Sequence, residues 1–156
     1  MARSGREEFA MGAISLLSNR LAGFGEGMLE DLTFRQWFLL TMISRMDPGE
    51  KNVREVAEFV GTSRQNVRKM IVPLERGGYL ETSRSKRDAR SLDVRLTPKA
   101  ERFLSEKTPL VEREARRLFS GLSDGEMDAL VAVLKRVMEC VDAYDSEEAE
   151  GETASR

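Results

Sequence analysis

Residues 52–97 carry one continuous pattern: two short capped helices, then a hairpin whose tip is loaded with arginine. Asn52 with Glu55 opens the first helix, which runs to about Val60. Gly61 turns the chain, and Thr62 with Gln65 is expected to cap the second helix. Ala57 is small enough to let the two helices approach closely, Gly61 tolerates the backbone of a tight turn, and Val67 packs one helix onto the other. Gly77-Gly78 closes the second helix. Two strand-like runs follow, 79–84 and 92–97, around the loop Ser-Lys-Arg-Asp-Ala-Arg-Ser.

The flanks are helical. Residues 7 to about 24 place Phe9, Ala10, Ala13, Ile14, Leu17, Leu21 and Phe24 near helical spacing, and Gly23, Gly25 and Gly27 are expected to break that helix. Thr33 with Gln36 opens another helix, whose Trp37, Phe38, Leu39, Leu40, Met42 and Ile43 are apolar nearly all round and so belong inside. Asp47-Pro48-Gly49 ends it. Thr97 caps a long helix with Pro98 at its first position, where the missing N–H costs little, and a bend is expected at Pro109. Ser123 with Glu126 starts a last helix to about Tyr144, with Met127, Leu130, Val131, Leu134, Val137, Met138 and Val141 on one stripe. Residues 146–156 are acidic and poor in apolar side chains, so they are expected to be disordered.

The expected fold is therefore mainly α with a small β-hairpin wing. A winged helix-turn-helix module (helices about 52–76, wing about 79–97) is joined to terminal dimerisation helices at about 7–24 and 98–144. Together they make one domain over 1–145. A length of 156 residues suits one domain, and 40% apolar with 33% charged residues suits a soluble core. No apolar run approaches the roughly 20 residues that span a bilayer, and no apolar signal core opens the chain. One cysteine excludes an internal disulfide framework and fits the reducing cytoplasm.

The chain has no histidine, which removes the commonest general base and the commonest zinc ligand. No phosphate-binding loop, nucleophile elbow or paired-carboxylate motif replaces it, so neither catalysis, a cofactor nor a metal is expected. The net charge of −2 is a misleading average. Residues 62–102 hold eleven Lys/Arg against five Asp/Glu, a net +6, while 139–156 hold one against seven, a net −6. A basic centre in an acidic whole points to a localised anionic partner.

The second helix of the motif sorts by face. Val67, Met70, Ile71 and Leu74 point inward at helical spacing. Ser63, Arg64, Gln65, Arg68 and Lys69 point outward from its first two turns, the end from which a recognition helix presents base contacts in duplex DNA. Arg64 or Arg68 suits guanine, and Gln65 or Asn66 suits adenine. The plain alternative is a solvated charged face. Pro73 sits badly inside this helix, and a kink near Lys69 is the expected relief.

Asp88-Ala-Arg90, five further residues, and then Leu96-Thr97 resembles the wing signature of the MarR family of winged helix-turn-helix transcriptional regulators. Leu32-Thr33, Gln36 and the run 63–67 are also similar to that family, and the element order agrees over roughly 7–144. The resemblance implies a homodimer, a repressor in the reading adopted here, on a pseudo-palindromic operator. Each recognition helix would enter a major groove, and each Arg90, oriented by Asp88, a minor groove. Narrow A·T-rich minor grooves do concentrate negative potential that attracts arginine; Asp88 is otherwise a plain turn former. Arg84, Lys86, Arg87 and Arg95 are assigned to phosphates, which position without reading sequence.

The apolar stripes of the terminal helices need covering, either by a second copy or by the chain folding back on itself. Regulation by a small aromatic or phenolic ligand is a further implication of the resemblance. Phe24, Met28, Trp37, Met42 and Met46 are candidate pocket residues, with plain core packing as the alternative. Cys140 is a poor redox sensor, because it lies late in a helix beside Glu139, where a thiolate is disfavoured. The rival to DNA regulation is a winged domain for protein–protein contact, its basic surface incidental.

Overall fold

The computed structural model describes residues 3–29, 31–47, 51–85 and 92–154. Six helices and three short strands follow in the order α1 (Arg3–Glu26), α2 (Phe34–Arg45), β1 (Lys51–Asn52), α3 (Val53–Val60), α4 (Arg64–Arg76), β2 (Leu80–Arg84), β3 (Leu92–Leu96), α5 (Pro98–Leu118) and α6 (Asp124–Ala154). The mainly helical winged fold expected from the sequence is present. Among the described residues, no helix is long and apolar enough to cross a membrane.

Local capping chemistry sets most helix starts. Thr33 and Gln36 form a reciprocal capping box on α2, and Asn52 and Glu55 form another on α3. Thr97 accepts from the Ala100 N–H and Pro98 opens α5, which continues through Pro109 as one helix. At α6, the Ser123 backbone N–H and hydroxyl both donate to Glu126, at 2.9 and 2.7 Å. Those two donors hold the Glu126 carboxyl below the usual carboxylate range.

α2 runs through the centre of the core. Leu39, Leu40 and Ile43 are buried on it, and Val56, Val67, Leu74, Leu80, Val94, Ala100 and Val111 converge from the surrounding elements. The sheet has three strands in the order β1-β3-β2, all antiparallel. The hairpin was expected; β1 was not. It is two residues long, too short for an alternating pattern, and exists because Lys51 and Asn52 pair with Val94 and Asp93 far along the chain.

Three boundaries differ from expectation. α1 passes through Gly23 and Gly25, because Gly25 is a close-approach site: a Cβ there would lie 2.8 Å from the Phe34 ring. α4 starts one residue later than the Thr62–Gln65 pattern suggests, since Ser63 is the N-cap. α6 continues ten residues past its expected end at Tyr144, so residues 146–154, expected to be disordered, are helical. Glutamate and alanine are good helix formers, and no proline interrupts that stretch.

Gly23 and Gly25 of α1 should respond oppositely to alanine. Gly23 has open space around it, so Gly23→Ala should raise stability by up to ~1 kcal/mol through helix propensity. Gly25→Ala must displace the Phe34 ring and should cost about 1–3 kcal/mol. Urea melts of both variants check the pair, and an equal effect of the two would disprove the close-approach role.

Candidate nucleic-acid interface

The site begins with how α4 is held. Val67 and Leu74 are 0% exposed and Ile71 is buried beside them. α3 and α4 meet at Gly61, whose φ of +78 takes the left-handed conformation glycine adopts without strain. The Gly61 and Thr62 N–H groups both return to the Ala57 carbonyl, at 2.9 and 3.0 Å, closing α3 tightly. With its inner face fixed, α4 exposes Arg64, Gln65, Arg68 and Lys69 together on the outside. A shallow cleft of about 370 Å³ lies alongside, lined by Arg54, Ala57, Glu58, Thr62, Ser63 and Arg64.

The start of α4 is electrostatically unusual. A helix N-terminus carries the positive end of the dipole and favours anions. α4 has no acidic residue in its first turn and places Arg64 there instead. An external anion such as a phosphate offsets that arrangement, since exposed N–H groups and a cation then share it.

Two residues expected at the DNA interface, Ser63 and Asn66, have partners inside the chain. Ser63 is half-buried, and its Oγ accepts from the Asn66 N–H at 3.2 Å, so it serves as the helix cap. The Asn66 amide nitrogen donates to Thr62 Oγ1 at 3.4 Å and to Asp142 Oδ1 of α6 at 3.2 Å. Pro73 is accommodated within a continuous α4. It lies in the last turn, so the lost hydrogen bond falls on the Lys69 carbonyl, away from the start of the helix.

The wing is tied to both neighbouring helices. α4 closes on Gly78, at φ +73, with the Tyr79 N–H reaching the Leu74 carbonyl at 2.9 Å. Thr97 Oγ1 donates to the Gly78 carbonyl at 2.7 Å, and Lys99 Nζ donates to the Gly77 carbonyl while lying over the Tyr79 ring. Thr82 Oγ1 donates to Glu75 of α4. Arg84 is exposed at the end of β2. Arg95, also expected at a phosphate, forms a cross-strand ion pair with Glu81, its register partner. Lys86, Arg87, Asp88 and Arg90 lie outside the described residues.

The candidate pocket residues are mainly packing. Trp37 is buried, and Met28, Met42 and Met46 pack half-buried against the core. Phe24 is half-buried near the end of α1. Trp37 Nε1 and Thr41 Oγ1, one turn apart on α2, are buried without a hydrogen-bond partner among the described residues. Cys140 is exposed on α6. Sequence reasoning missed Arg54 at the cleft, whose only local signal was its spacing from Glu58, and Asp142, which had none.

Residues 30–91, which contain α2 to β2, match the model of the MarR family. Over that stretch the chain is similar to the MarR family. It is 30% identical over 93 residues to the transcriptional repressor MprA of Escherichia coli (strain K12), an alignment covering 60% of this chain and 53% of that protein. The chain spans just over half the length of the curated relatives it matches. The fold is similar to that in the Staphylococcus aureus MepR–DNA complex, with a TM-score of 0.67 and 19% identity over 83% of this chain and 95% of that one. It is equally similar, at a TM-score of 0.67 and 21% identity, to the Streptomyces coelicolor regulator PcaV bound to its natural ligand, over 83% and 91% of the two chains.

The cap assignment is directly testable. Ser63→Ala should cost ~1 kcal/mol of stability and Ser63→Asp should retain it, because aspartate also caps. Thr62→Ala should cost less than Ser63→Ala. Denaturant titration settles the order, and a larger loss at Thr62 would return the cap to that residue.

Proposed function

We propose that the chain is a transcriptional regulator, a repressor in its resting state, that binds duplex DNA sequence-specifically as a cytoplasmic homodimer on a pseudo-palindromic operator. The observation that carries this reading is the outward face of α4, where Arg64, Gln65, Arg68 and Lys69 project from the first two turns of a helix whose other face is locked in the core. The match of residues 30–91 to the MarR family model supports it, as do a relative named as a repressor and a similar fold solved with DNA. Arg64 and Arg68 take the guanine-reading role and Gln65 that of adenine. Lys69, Arg84 and the wing residues Lys86 and Arg87 neutralise phosphates. Arg90, aligned by Asp88, enters the minor groove; this part rests on the sequence resemblance.

Exposed apolar surface supports the homodimer. Phe9 and Met11 of α1 are 71% and 74% exposed, and Val141 and Tyr144 of α6 are 54% and 62% exposed. Among the described side chains of α1 only Gly25 is buried, and among those of α6 none is. Helices in proteins draw most of their stability from packing an apolar face rather than from intrinsic propensity. A second copy, offering the same two helices about a twofold axis, covers them and sets two α4 helices about one DNA turn apart, ~34–36 Å.

Ligand control is the third element of the reading. The unpartnered Trp37 Nε1 and Thr41 Oγ1 supply donors for an acceptor-bearing aromatic molecule between α2 and the terminal helices. Such a ligand, added from a panel of hydroxylated benzoates, should quench the single tryptophan and release DNA. A panel that changes neither signal would remove the ligand from the proposal.

Footprinting on the DNA beside its own gene, followed by titration across salt, tests the central claim. Affinity should fall about 10³-fold or more between 50 and 200 mM salt if several phosphates are neutralised. Absence of salt-sensitive DNA binding would favour a protein-contact module instead. Arg64→Ala or Arg68→Ala should cost ~1–3 kcal/mol and relax preference at one base pair, whereas uniform loss on all sequences would demote that arginine to a phosphate contact.

A further inference from the structure

We propose that α6 restrains the reading helix through Asp142, which withholds the Asn66 amide from DNA until α6 shifts. This rests on the DNA-reading function proposed above for α4 and adds its control. Lys135, Met138 and Asp142 lie on one face of α6, at i, i+3 and i+7. That face meets the helix-turn-helix unit at two points. A Cβ on Gly61 would lie 3.5 Å from Met138 Cε and 3.9 Å from Lys135 Cγ, and Asn66 Nδ2 donates to Asp142 Oδ1 at 3.2 Å.

The chemistry of the amide makes this contact consequential. Asparagine pairs with adenine in two points, donating an N–H to N7 and accepting from the N6 amino group. An asparagine amide has two N–H donors. In this chain one goes to Thr62 Oγ1 and the other to Asp142 Oδ1. Asn66 is left with its carbonyl oxygen alone, enough for one hydrogen bond but not for the two-point pairing. The bond to a carboxylate is charge-assisted and so stronger than the neutral one to Thr62. Releasing Asp142 is therefore the step that frees a donor.

Charge works in the same direction. Asp142 sets a negative charge beside the start of a helix proposed to meet phosphates. α6 then continues twelve residues beyond it to Ala154, ~18 Å of helix. Whatever repositions α6, whether dimer rearrangement or an effector, changes what α4 can read.

The test uses the full chain and fluorescence anisotropy on two duplexes, the footprinted site and a scrambled sequence of equal length. Asp142→Ala should raise the preference for the site over the scramble about three- to tenfold at low salt. Asp142→Asn, which keeps a weaker neutral acceptor and guards against loss of folding, should give a smaller gain in the same direction. In an Asn66→Ala background the gain in preference should vanish. An unchanged or lowered preference in both Asp142 variants, or a gain that survives Asn66→Ala, would overturn the restraint while leaving DNA reading intact. No binding of either duplex by any variant at low salt would overturn the reading itself.

Discussion

Everything at the proposed interface depends on the burial of one face of α4. Val67 and Leu74 are 0% exposed and Ile71 is 4% exposed, and burying each aliphatic side chain contributes on the order of 1.5–3 kcal/mol. The exposed ion pairs Arg54–Glu58 and Arg95–Glu81 are screened by solvent and contribute little beside this burial. Packing therefore decides the rotation of α4 about its axis. The outward cations are consequences of that rotation, and repacking the inner face would rotate them away from any DNA partner.

The same helix fixes the wing. Its C-terminal end closes on Gly78, and the first residue of the wing, Tyr79, is pinned by its N–H to Leu74 and stacked edge-on against Phe103 of α5. Thr97 caps α5 and bonds the Gly78 carbonyl, so one side chain joins the end of α4, the base of the hairpin and the start of α5. Glu75 and Thr82 add a side-chain link. These ties join α4 to the base of the wing and to the start of α5.

Much of this was legible in the sequence because it rests on short-range rules. The capping pairs at Thr33, Asn52, Thr97 and Ser123 satisfy backbone donors a few residues away, and the inward period of α4 follows from helix geometry alone. Failures came where two local patterns compete or where the partner is distant. Thr62–Gln65 fits the capping-box rule better than Ser63–Asn66, but Ser63 wins the cap, and Thr62 bonds the Asn66 amide instead. β1 depends on a partner some forty residues away. The acidic end of α6 reads as unstructured by apolar content, yet its glutamates and alanines favour helix. Of the site, Arg64, Gln65, Arg68 and Lys69 were visible as a face. The tie between Asn66 and Asp142 crosses 76 residues and leaves no trace in spacing.

That long-range tie bears on why the terminal helices are so exposed. A helix whose only task was dimerisation could pack against its own core and offer one outer stripe. α6 instead buries no described side chain, and its half-buried residues include Met138 and Asp142, which meet the reading motif. Val131, Leu134 and Val141 lie close by on the same helix and remain exposed. α6 thus carries a face toward α4 beside a face open to a second copy. A shift that improves packing of the open face alters the contact with Asn66, since both faces belong to one rigid rod. Weak attachment to its own core is what permits that shift, for a helix held by many buried side chains would resist it by several kcal/mol.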